Sequence, residues 1–139
     1  MIIIKSIPLQ IPFKPGVRSD AAVWGDKNLP SADALLLKIT TKEGLEGWGE
    51  AFGFPAMKSA KLAIDELIAP LCIGRDAAQI APLMLEVQKK LHVVGRGGAL
   101  TYGISAVEIA LWDIVGKAAN APVCRLLDGG APDLLAMRA

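Results

Sequence analysis

Glu50, His92, Glu108 and Asp113 are the side chains whose types could do chemistry here. Glu50 follows Gly47-Trp48-Gly49 and precedes Ala51-Phe52-Gly53-Phe54. It could serve as acid, base or metal ligand, but acid–base work needs a positioned partner. A structural carboxylate at a strand end is the stronger reading. His92, the only histidine, stands before Gly95-Arg96-Gly97-Gly98 and could help bind an anion. Cations favour a helix carboxyl end without any ligand, so a solvated helix terminus is the stronger reading. Glu108 and Asp113 share one helical run, and a spacing of five points them in different directions. They read as buried, hydrogen-bonded structural acids rather than as a metal pair. Gly47-x-Gly49 approaches a dinucleotide fingerprint, but the third glycine should fall at position 52, which is Phe52, and no parallel βαβ unit follows. Three clustered carboxylates, a placed Lys or His base, or a supported Ser or Cys nucleophile are not found in the sequence.

The elements that must position these residues follow from periodicity. Residues 2–11 read as a strand with Ile3, Ile7, Leu9 and Ile11 on one face, and Pro8 makes it an edge strand. Residues 12–30 have no period and read as a long loop, of a kind that is usually functional or disordered. Strands at 32–40, with Leu35, Leu37 and Ile39 on one face, and at 45–52 are joined by Thr41-Lys42-Glu43-Gly44 as an antiparallel hairpin. Residues 57–68 form a helix with Ala60, Ile64, Leu67 and Ile68 on one face, ended by Pro70. A helix over 79–92 carries Leu83, Val87 and Leu91, with Pro82 in its first turn. The run 101–118 is apolar nearly all round and should be the central helix, with Trp112 and Leu111 buried. Asp113 and Lys117 are set four apart with the acid first. Residues 133–139 read as one more strand, without a partner. Strands followed by helices predict an α+β domain: a three-stranded antiparallel meander and a three-helix bundle.

The chain has 139 residues, which suits one domain, and a formal net charge of +1. It has no basic stripe for nucleic acid. By the same reading it has no charged leader and no apolar run near the ~20 residues of a membrane span. Cys72 and Cys124 fit no metal spacing and are expected as buried, reduced thiols, which suits the cytoplasm.

Three blocks resemble the amino-terminal domain of the mandelate racemase/muconate lactonizing group of the enolase superfamily. They are Leu35–Ala51, "LLLKITTKEGLEGWGEA"; Leu67–Ile80, "LIAPLCIGRDAAQI"; and Gly103–Gly129, "GISAVEIALWDIVGKAANAPVCRLLDG". The last resembles the group's Ala-Ile-Ser-Ala-x-Asp-x-Ala-Leu-Trp-Asp helix. It has Glu108 in place of the usual Asp, and an extra Asp128 before the glycines.

The resemblance implies a capping domain over residues 1–130, with 131–139 as a linker and first strand of a TIM barrel whose mouth holds the active site. The family abstracts the proton next to a carboxylate, with Mg²⁺ stabilising the enediolate and a Lys or His as base. Those groups are expected beyond Ala139. The expectation is therefore no catalytic residue, no metal ligand and no activity in these residues alone. A racemase, cycloisomerase or sugar-acid dehydratase is implied for the full-length parent. Lys14, Arg18, Trp24, Phe52, Gly53 and Phe54 are the implied substrate-capping positions, on two loops that fold over the barrel mouth and exclude water. The implied partners are a carboxylate substrate, the barrel and further copies of the chain, with neither nucleic acid nor membrane. The rival reading is a stand-alone binding or interaction module.

Overall fold

The computed structural model describes residues 3–12, 23–24, 27–28, 31–53 and 56–127. Strand β1 (Ile3–Pro12) pairs antiparallel with β4 (Ser31–Thr40), and β4 pairs antiparallel with β5 (Glu46–Ala51). The sheet order is β1-β4-β5, the expected meander with β1 at an edge. The turn between β4 and β5 closes on Thr41. Its N–H donates to Leu45 O at 2.8 Å, and Gly44 N–H donates to Thr41 O at 3.0 Å. Gly44 takes φ +86°, which a side chain would oppose.

Period two sorts the sheet as expected. Leu35, Leu37 and Ile39 are fully buried. Opposite them on β1 stand Pro8, Ser6 and Ile4, while Ile7, Leu9 and Ile11 stand opposite Leu36, Ala34 and Ala32. Residues directly opposite share a face, so the apolar face of β1 is the one turned away from the core. Leu9 and Ile11 are accordingly exposed.

The stretch 12–30, expected as an unstructured loop, holds a small antiparallel ladder. Its strands β2 (Val23–Trp24) and β3 (Lys27–Asn28) pair Val23↔Asn28 and Trp24↔Lys27. The sequence signal was Gly25-Asp26, a two-residue hairpin connection.

Helix α1 (Met57–Leu62) continues through a π-helical stretch, Ala63–Ile68, into α2 (Ala69–Cys72). Pro70 therefore does not end the run. It sits in the first turn of α2, after the i→i+4 ladder has already been interrupted, so its missing N–H costs little. Ala60, Ile64 and Ile68 are buried, and Leu67 is half-buried. Helix α3 (Ile80–Lys90) has Pro82 in its first turn and buries Leu83 and Val87. A 3₁₀ turn, His92–Val94, leads to α4 (Gly98–Ala119), and α5 (Val123–Leu127) follows.

Helix α4 is the central helix. It buries Leu100, Ile104, Ala106, Val107, Ala110, Leu111 and Ile114, while Trp112 is only half-buried. At 22 residues it is long and apolar enough to cross a membrane by length and composition. The sequence reading of no such run thus needs correction; here α4 packs on the sheet and the other helices. Cys72 is buried, but Cys124 is exposed on the short α5, against expectation. The expected strand 133–139 lies outside the described residues.

Candidate functional site

The site is built on the fit of β5 against α4. On β5 the core-facing positions are Gly47, Gly49 and Ala51, all buried. A Cβ on Gly47 would run into Ala110 O and one on Gly49 into Ala106 O, both far inside the 3.0 Å that real Cβ atoms observe. Strand backbone thus lies directly on helix backbone. The glycines of Gly-Trp-Gly-Glu serve close approach, with no side chain between the two elements.

Two side chains of α4 then reach the outer edge of β5. Asp113 Oδ2 accepts a hydrogen bond from Trp48 N–H at 2.9 Å. Lys117 Nζ donates to Glu46 O at 2.8 Å and to Asp113 Oδ2 at 2.7 Å. Burial pushes the Asp113 carboxyl up, but the Lys117 ammonium and the Trp48 amide more than offset this and hold it below its usual range. Backbone groups of an edge strand are thereby satisfied from within the domain, which blunts pairing with another chain. The i,i+4 pair was legible in the sequence; its partner strand was not.

This docking delivers the loop after β5 to a fixed place. Phe52 is 49% exposed, and its ring centroid lies 5.0 Å from that of Tyr102 on α4, with the planes tilted by 48°. Gly53 is buried, and a Cβ there would run into Asp33 O of β4. Its glycine therefore answers to close packing on β4. Tyr102 was missed at the sequence level, since nothing in its spacing pairs it with Phe52.

Of the other implied capping positions, Lys14, Arg18 and Phe54 lie outside the described residues. Trp24 is in β2, with its side chain outside the described part. Of that set, the described part of the site holds Phe52 and Gly53.

The acids separate as their spacing implied, with one correction. Asp113 is half-buried and hydrogen-bonded, whereas Glu108 is exposed, on the polar side of α4. Glu50 is exposed on β5, opposite Leu36. His92 is exposed at the end of α3, where its Nδ1–H donates to Lys89 O at 2.7 Å, as a solvated helix terminus should. A cleft of about 530 Å³ between α3 and α4 is lined by Leu85, Lys89, Arg96, Leu100, Thr101 and Ile104, among others. The strongest ion pairing is elsewhere: Arg75 binds Glu86 through two bonds of 3.1 and 2.5 Å, with Lys90 at 2.7 Å. Together they hold the Glu86 carboxyl down at about 2. Among the described residues no group of three or more His, Cys, Asp or Glu side chains could hold a metal ion.

Known proteins give this geometry its context. Residues 25–128 match the family profile of the mandelate racemase/muconate lactonizing enzyme N-terminal domain. The chain is 36% identical over 126 residues to a D-galactonate dehydratase family member of Streptomyces bingchenggensis, covering 86% of this chain and 29% of that protein. It is 40% identical over 95 residues to the D-galactonate dehydratase of Klebsiella pneumoniae, covering 68% and 24%. Among solved structures, a racemase from Streptomyces coelicolor with bound magnesium superposes with a TM-score of 0.73 at 27% identity, covering 86% of this chain and 33% of that one. The chain spans 24% to 33% of the length of these proteins. On the matched sequence, the meander and the helices behind it, the chain belongs to the mandelate racemase/muconate lactonizing enzyme family of the enolase superfamily, whose N-terminal domain it carries.

Proposed function

We propose that residues 1–130 form the capping and substrate-specificity domain of a Mg²⁺-dependent enzyme that abstracts the proton α to a carboxylate, acting on a sugar acid as a dehydratase. The observation that carries this reading is the relatedness to D-galactonate dehydratases at 36–40% identity. In this reading the loop after β5 and the loop after β1 cover the mouth of a barrel. Phe52 forms an apolar wall beside the distal part of the substrate, and Phe54 and Trp24 extend it. Lys14 and Arg18 donate hydrogen bonds to substrate hydroxyl or carboxylate oxygens. A dry wall strengthens every electrostatic interaction inside the closed site. Among the described residues no group of side chains fits a Mg²⁺ site, and no step is routed through the metal. Self-association belongs to the same reading. Leu9 and Ile11 are exposed side by side on the face of edge strand β1 that is turned away from the helices, an apolar strip that suits a second copy of the chain.

A chimaera tests the reading: this chain replaces the N-terminal domain of a D-galactonate dehydratase, and the product is assayed on a panel of sugar acids with Mg²⁺. Dehydration with a shifted substrate preference is the expected result. A folded chimaera that dehydrates no sugar acid, or one with an unchanged preference, overturns the specificity role.

A further inference from the structure

We propose that Tyr102 is a positioning residue of the capping loop, holding the Phe52 ring as a fixed wall. This rests on the capping reading above, which assigns a role to Phe52 and none to Tyr102. Phe52 is the first residue after β5, and its ring pairs with Tyr102 at 5.0 Å in a tilted arrangement favourable for two aromatic quadrupoles. Tyr102 stands one helical turn before Ala106, whose carbonyl lies under Gly49. The helix face that seats β5 therefore also seats the first ring of the loop. On the other side, Gly53 is lodged against the backbone of Asp33 and Ala34. Backbone and ring at 52–53 are thus held by two different elements, α4 and β4.

Phe52 is then a static wall. Tyr102 acts on a substrate only through Phe52, so its effect belongs to KM more than to kcat.

The test uses this chain and chymotrypsin, with the cut after Phe52 followed by mass spectrometry. Cleavage of a folded protein tracks local opening at the cut site. Loss of an aromatic pair predicts cleavage of Tyr102→Ala faster by about 3- to 10-fold. Tyr102→Phe, which keeps the ring, cleaves at the wild-type rate. Wild-type rates in Tyr102→Ala, or equal acceleration in Tyr102→Phe, overturn the proposal. Should Tyr102→Ala not fold, Tyr102→Leu keeps the bulk without the ring and faces the same two outcomes. In the chimaera, Tyr102→Ala should also raise KM for the sugar acid, with rescue by Tyr102→Phe. The two readings fail separately. Cleavage needs no substrate and reports the brace alone, whereas Phe52→Ala with unchanged KM removes the capping role and leaves the brace intact.

Discussion

Gly49→Ala probes the strand–helix contact that organises the domain. Gly49 is not among the positive-φ residues, so alanine is conformationally acceptable there. On its own that change would stabilise the chain by about 0.4–1 kcal/mol, through the unfolded state. Its Cβ, however, would meet Ala106 O at 2.0 Å and the carbonyl carbon beside it at 3.0 Å. Neither is the tip of a flexible side chain, so strand and helix must separate by on the order of 1 Å, at an overpacking cost of about 1–3 kcal/mol. The same separation strains the 2.9 Å bond from Trp48 N–H to Asp113, a hydrogen bond to a charged group worth about 1.5–3 kcal/mol. The net expectation is a loss of about 2–4 kcal/mol. For a domain of this size that lowers Tm by roughly 6–15 °C. Thermal and urea unfolding of Gly49→Ala are compared with those of Gly97→Ala, whose Cβ meets nothing within 4 Å. Gly97→Ala should cost less than about 1 kcal/mol, the scale of a lost helix-cap preference. A Gly49→Ala midpoint within the spread of the Gly97→Ala control would refute the backbone-on-backbone contact.

Leu111 is fully buried in α4, so Leu111→Ala should cost about 2–5 kcal/mol, and an unshifted denaturation midpoint would remove α4 from the core. The Asp113 carboxyl is held below the usual carboxylate range, so its contribution is present above about pH 4 and is lost as pH falls through the lower folded value. Asp113→Asn should therefore be less stable than wild type at pH 7 by about 1 kcal/mol, the difference between a charged and a neutral hydrogen bond, and that gap should close in acid; a pH-independent gap contradicts the charge argument. Burial raises the Cys72 thiol to about 11, while Cys124 is exposed. At pH 8 a thiol reagent should label Cys124 within minutes and Cys72 only on unfolding; fast labelling of both would show α2 to be open.

What the sequence made legible was what short-range period determines. Leu35, Leu37 and Ile39 announced a buried strand face, and Asp113-x-x-x-Lys117 announced a helical pair. Gly47 and Gly49 were visible as an anomaly, but their reason is a carbonyl on a helix some sixty residues away, which no local pattern encodes. Pro70 was read as a stop because the rule assumes an unbroken α ladder, and the π-helical turn before it removes that premise. Glu108 and Asp113 looked alike on an apolar helix. Only the position of β5 tells which one meets a strand edge. For the candidate site, Phe52 and Gly53 were singled out in advance, whereas Tyr102 became visible only when the two chains of contacts met.

The central claim is that the loop after β5 presents Phe52 to a substrate. The most direct test is the steady-state kinetics of Phe52→Ala in the dehydratase chimaera, over a series of sugar acids that differ at the end distal to the carboxylate. The account predicts that KM rises by about 3- to 30-fold, the span expected for one apolar contact, with a smaller change in kcat and a narrowed difference between long and short substrates. Unchanged KM and unchanged selectivity, in a protein that unfolds at the wild-type temperature, would contradict it.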